Sequence, residues 1–148
     1  MPKMIRHAKI EDAAAIALLI EPYIDDFAVN QSGREKLNQE AIETLLHTEC
    51  IHYYVYTQHQ QICAVIAYKE SGHLIHFFTA RPMQKQGIGR KLWNFIEAEL
   101  HQSGTSCITV NSSCSAQPVY EKLGFHSVSA VIEANGLRFI QMRKALTA

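Results

Sequence analysis

An excess of charge of either sign is the first thing this 148-residue sequence lacks: 14 Lys and Arg balance 14 Asp and Glu. A broad basic surface for nucleic acid is therefore not expected. No run is apolar enough to span a membrane, because the block in MPKMIRHAKIEDAAAIALLI is short and interrupted. The same stretch lacks the order of charge, apolar block and small-residue cleavage site of a secretory leader. The four cysteines, Cys50, Cys63, Cys107 and Cys114, form no CxxC pair, and no histidine spacing around them reads as a zinc site. Cys63 and Cys107 lie in apolar, strand-like runs, where a thiol behaves as a small hydrophobe. No metal is expected, and a reducing cytoplasm is the expected compartment.

What is present fits one globular domain, residues 1–148. The 47% hydrophobic and 19% charged content belongs to a folded soluble chain, long enough to bury a core without staples. Residues 4–8 read as a short strand. A helix starts at or just before Asp12 and runs through Ala13, Ile16, Leu19 and Ile20, until Glu21-Pro22 interrupts it. Residues 23–37 read as polar and irregular. A second helix spans roughly Asn38 to Thr48, with Ile42, Leu45 and Leu46 inward.

The period then changes. Ile51 to Thr57 and Ile62 to Glu70 are β-branched and aromatic runs around a short polar turn, which is a hairpin pattern. Ser71-Gly72 leads into a strand over 73–80, whose alternation places His73, Ile75 and Phe77 on one face and Leu74, His76 and Phe78 on the other. A helix follows with Ile88, Leu92, Phe95, Ile96 and Leu100 on one stripe. Cys107 to Ser112 reads as a fifth strand, parallel to the fourth because a helix separates them. A short helix over Pro118 to Leu123 ends at Gly124. Two closing strands, 125–133 and 137–144, join through Asn135-Gly136, a type I′ hairpin signal. The expected fold is α/β: a mixed, mostly antiparallel sheet of about seven strands with about four helices. The order is strand, two helices, three strands, helix, strand, helix, two strands.

The chain is organised around the turn between the fourth strand and its helix, Gln84-Lys85-Gln86-Gly87-Ile88-Gly89. Such a turn aims backbone N–H groups and the positive end of a helix dipole at one spot, where a phosphate fits; a plain tight turn has the same pattern. It is not a Walker loop, since the Gly-Lys-Ser/Thr step is missing. It is not a dinucleotide fingerprint, since the third glycine is missing and hairpins precede it.

Thirty residues on stands Tyr120-Glu121-Lys122-Leu123-Gly124-Phe125. With both stretches in place, the chain resembles the GCN5-related N-acetyltransferase (GNAT) superfamily. That family's loop pairs Gln or Arg with two glycine-type positions, matched by Gln84, Gly87 and Gly89. Its late motif is matched by Ala116, Tyr120, Leu123, Gly124 and Phe125. The order of elements agrees over nearly the whole chain. Two positions depart from the family: Arg81, where proline is frequent, and Ser113, where many members carry asparagine. Asn111 is a nearby substitute.

The resemblance implies acetyl-CoA as co-substrate and an amine acceptor, a small molecule or a peptide. It places the cofactor's pyrophosphate over the amides of Lys85, Gln86, Gly87, Ile88, Gly89 and Arg90, next to Gln84. It places the pantetheine along Phe77, Phe78 and Thr79, between parallel strands that must splay to admit it, with Asn111 nearby. It makes Tyr120 the general acid for the leaving thiolate; a core aromatic is the plain alternative. For the base, the resemblance points to His73, with Glu70 or a water chain as alternatives. Glu21, Asp25 and Asp26 fall where family members form the acceptor wall. A non-catalytic acyl-CoA-binding module of the same fold is the competing reading. The closing hairpin leaves an edge that permits a homodimer.

Overall fold

A computed structural model describes residues 4–146. The strands are β1 (Ile5–His7), β2 (Ile51–Gln58), β3 (Gln61–Lys69), β4 (His73–Thr79), β5 (Cys107–Ser112), β6 (His126–Ala134) and β7 (Leu137–Ala145). They form one sheet in the order β1-β2-β3-β4-β5-β7-β6, in which only the β4–β5 pair is parallel. The helices are α1 (Ala13–Ile20), α2 (Ile24–Phe27), α3 (Gln31–Glu35), α4 (Gln39–Leu46), α5 (Ile88–Gln102) and α6 (Gln117–Lys122). The mixed, mostly antiparallel sheet is the expected one.

Residues 23–37 are more ordered than their polarity predicts. They wind into the short helices α2 and α3, and Asn30 caps α3 by accepting from the Gly33 N–H at 3.0 Å. Asn38 caps α4 through the Ala41 N–H at 2.9 Å. Backbone contacts then fasten this segment to the closing hairpin. Ala28 bridges Leu137, and the Val29 N–H donates to the Gly136 carbonyl at 2.9 Å. Approach is so close that a Cβ on Gly33 would fall 1.9 Å from the Gly136 oxygen. The hairpin turn takes the expected form, with φ of 55° at Asn135 and 81° at Gly136.

The sheet separates two cores. One holds α5 and α6 against Tyr54, Tyr56, Ile66, Leu74, Ile108 and Val110. The other holds α1 and α4 against Tyr53, Val55, Val65, Ala67 and Phe78. On α5 the buried stripe is Ile88, Leu92, Trp93, Ile96 and Leu100. Phe95, expected on it, is 39% exposed and meets Tyr54 edge-on, because the stripe is centred nearer Trp93 than the apolar spacing implied. Glu99 clamps α5 to the sheet by accepting from the Tyr54 hydroxyl at 2.6 Å and the Tyr68 hydroxyl at 2.8 Å.

Strict alternation fails on β4. Tyr68 pairs with Leu74 and Ala67 with His76, so Ile75 is an extra residue, a β-bulge. Leu74 and Phe77 therefore share the α5 side, whereas Ile75 and Phe78 pack into the α1–α4 core. His73 and Phe77 lie on opposite faces of the sheet, not on one as period two predicts.

Candidate active site

The parallel strands β4 and β5 pair only at His73–Thr109 and Leu74–Val110, then part. Beyond Leu74, the β4 edge away from β3 has no strand beside it. The Ala80 N–H reaches the Cys63 carbonyl at 2.8 Å, which sets the alternation: His76 and Phe78 turn their backbone groups to β3, and Phe77 and Thr79 turn theirs to the gap. An unpaired strand edge of this kind accepts an extended, amide-bearing arm as it would an added strand. Phe78 contributes its side chain to the far core, against Tyr23 and Phe27.

The glycine turn lies at the open end of this gap. Gly87 is the N-cap of α5 with φ of 80°, and Lys85 also takes a left-handed φ, 65°. Among the described residues, no acceptor meets the backbone N–H of Lys85, Gln86, Gly87, Ile88, Gly89 or Arg90; the first bond of the helix is from Lys91 to the Gly87 carbonyl. Six consecutive amides are thus free for an anion, with the dipole of a fifteen-residue helix behind them. The two glycines do different work. A Cβ on Gly87 would meet nothing within 4 Å, so glycine there serves the backbone conformation beside open space. A Cβ on Gly89 would stand 3.3 Å from the Thr79 Oγ1 and 3.6 Å from Phe77, so glycine there lets α5 sit against β4.

Tyr120 comes to the same gap from α6. Its ring packs against Phe77 at 6.2 Å and Phe125 at 5.4 Å between centroids and is 6% exposed. Among the described residues its hydroxyl bonds no protein group, and no fully buried side-chain polar atom lacks a partner. The hydroxyl oxygen is therefore not fully buried. Burial pushes the Tyr120 phenol well above its ordinary pKa, so it holds its proton and can donate it.

His73 stands where β4 and β5 are still joined. Its Nδ1 lies 2.8 Å from the Thr109 Oγ1, which fixes the ring. Burial, then the charge of Lys69, lowers its pKa, so the imidazole is neutral near pH 7. Glu70 is turned to the other face, where it meets His52 at 3.1 Å. Asn111 is exposed, on the Thr109 side of the sheet, away from Tyr120. Ser113 fills the structural role open to an asparagine there: its Oγ accepts from the Ala116 N–H at 3.1 Å and starts the turn into α6.

A family model described as an acetyltransferase (GNAT) domain matches residues 20–146. The chain belongs to the GNAT acetyltransferase family. Family membership makes it an acyltransferase. Among solved structures it is similar in fold to a GCN5-related N-acetyltransferase from Rhodopseudomonas palustris, with a TM-score of 0.78 and 20% identity, over 96% of this chain and 94% of that one. It is also similar to the PaiA N-acetyltransferase from Thermoplasma acidophilum in complex with coenzyme A, with a TM-score of 0.74 and 19% identity, over 99% of this chain and 100% of that one. A third is the ribosomal-protein-S18-alanine N-acetyltransferase from Escherichia coli, with a TM-score of 0.72 and 17% identity, over 97% and 94% of the two chains.

Within this GNAT domain, sequence reasoning missed Tyr23. Its hydroxyl donates to the Thr79 carbonyl, it accepts from the Gln84 side-chain amide, and Arg81 lies over its ring at 5.0 Å. Only its place after Glu21-Pro22 marked the segment, and no local signal tied it to residues nearly sixty positions on. Thr109 was also missed, since it is one unremarkable position in an apolar strand. Among the described residues, no group of three or more His, Cys, Asp or Glu side chains could hold a metal ion, and no helix is long and apolar enough to cross a membrane.

Proposed function

We propose that the chain moves an acetyl group from acetyl-CoA to a primary amine of a small molecule or peptide, by direct attack with both substrates bound. The observation that carries this reading is the alignment of six free amides, an unpaired β4 edge and the Tyr120 hydroxyl along one gap. Lys85 to Arg90 hold the pyrophosphate, with Gln84 beside them, and the Phe77 and Thr79 backbone holds the pantetheine. The open space at Gly87 fits such a group, which a larger residue would crowd. Acetyl-CoA supplies the activated thioester. His73, neutral and fixed by Thr109, takes the proton from the acceptor's ammonium, directly or through water. Tyr120 gives its proton to the departing sulfur. The test is thermal melting followed by an acceptor screen. Acetyl-CoA at a hundredfold excess over its Kd should stabilise the protein by about 2.7 kcal/mol. No shift at millimolar concentration excludes the cofactor; a shift without CoA release from any amine leaves a binding module.

A further inference from the structure

One register row crosses five strands on the face away from α5. Lys69 pairs with His73, His73 with Thr109, Thr109 with Arg143, and Arg143 with His126. Directly paired residues put their side chains on the same face. The His73–Thr109 hydrogen bond and the Arg143 Nε donating to the Cys107 Sγ at 3.2 Å confirm that face. At about 4.8 Å per strand, Arg143 stands about 10 Å from His73.

The row carries two fixed cations and two imidazoles around one threonine, and no acid. None of Lys69, His73, Arg143 or His126 has a carboxylate partner among the described residues, in a chain whose charges balance. Three acids pair elsewhere: Glu70 faces His52 on the other side of the sheet, Asp25 pairs with Arg34, and Glu133 pairs with Arg138. Lys69, Arg143 and His126 are exposed, and α1 and α4 cover β2 to β4 rather than β5 to β7 on this face. The charge of Lys69 is felt at His73.

We propose that this row selects the acceptor: the amine that reaches His73 carries an oxyanion, a carboxylate or a phosphate, which Arg143 holds. This rests on the acetyl-transfer reading above. The guanidinium Nη groups, with Nε occupied by Cys107, offer a fork that fits either oxyanion. Lys69, on the other side of His73, adds positive potential. A polycationic amine would be repelled by Lys69 and Arg143, since neither has a carboxylate partner among the described residues.

The experiment measures CoA release from the whole chain with matched amines: glycylglycine and its carboxamide, phosphoethanolamine and ethanolamine, and spermidine and kanamycin as polycations. The expected result is a kcat/KM for one oxyanion-bearing amine about 10- to 100-fold above its neutral partner. That difference resides in KM, and the polycations are poorest. Which pair shows it distinguishes carboxylate from phosphate. Arg143→Gln should bring the ratio within a pair close to one by raising the KM of the charged member, while the melting shift with coenzyme A persists. Arg143→Lys should restore part of the ratio. Equal rates within both pairs, preference for spermidine or kanamycin, an undiminished ratio in Arg143→Gln, or no turnover of any amine despite a coenzyme A shift overturns the proposal. Loss of the shift in Arg143→Gln assigns the row to the cofactor and also overturns it. Absence of the shift in the unmodified protein removes the acetyl-transfer reading itself.

Discussion

The Tyr23 hydroxyl donates to the Thr79 carbonyl at 2.5 Å, joining the segment after α1 to the strand edge that lines the gap. The same oxygen accepts from Gln84 at the mouth of the glycine turn. Tyr23→Phe removes both bonds and keeps the ring against Phe78 and beneath Arg81. It should cost about 1 kcal/mol, a fall of about 3 °C in melting temperature. Calorimetry of the two proteins decides it, and an unchanged Tm would show that these bonds contribute nothing.

Tyr120→Phe isolates chemistry from folding, because the hydroxyl has no protein partner to lose. Stability and coenzyme A affinity should stay within error. Acetyl transfer should slow by roughly 100- to 10,000-fold, as expected for a positioned acid. A fall in stability with turnover intact would instead make Tyr120 a packing residue.

The two glycines of the turn should respond differently to alanine. Gly87→Ala forces a left-handed φ of 80° on a residue with a Cβ, at about 1–2 kcal/mol, and fills space beside the free amides. Both melting temperature and coenzyme A affinity should drop. Gly89→Ala gains helix propensity, about 1 kcal/mol, against the crowding of a rotatable Thr79 hydroxyl at 3.3 Å. Its stability should change less. Isothermal titration and melting curves on both variants separate the cases.

The two histidines of β4 predict two different pH dependences. Burial lowers His76 to about 4, with the Tyr53 hydroxyl 2.9 Å from its Nδ1. The unfolded chain binds a proton there from the ordinary value of 6.5 downward and the folded chain does not. Stability is therefore complete above pH 6.5 and falls by roughly 3 kcal/mol on the way to pH 4. His76→Gln, which keeps an acceptor for Tyr53, should flatten that part of the stability–pH curve. His73, also lowered, should set the acid limb of kcat/KM below pH 6.5. His73→Ala should slow transfer near neutral pH and remove the limb; a limb that stays in place assigns the base elsewhere.

Most of the fold could be read from the chain because its signals are local. The alternation of β2 and β3, the Asn135-Gly136 turn and the glycine loop each act over a few residues. Asn30 and Asn38 were equally local, and attention to their capping role would have recovered α3 and the exact start of α4. The β4 bulge was not legible, because the extra residue at Ile75 is defined only by its register against β3. The same limit hid Tyr23 and the row through Arg143, whose partners are set by pairings distant in sequence. Phe95 failed for a finer reason: several apolar residues on α5 competed for one stripe, and packing chose Trp93.

The contact of Gly33 with Gly136 has a consequence for altering the acceptor range. Any side chain at Gly33 must displace a carbonyl already bonded to Val29, so the helical segment and the hairpin tip behave as one part. Substitutions on the two sides are not independent. Libraries that vary α2–α3 alone will lose members to misfolding, whereas lengthening the hairpin together with the Gly33 turn changes both sides in step.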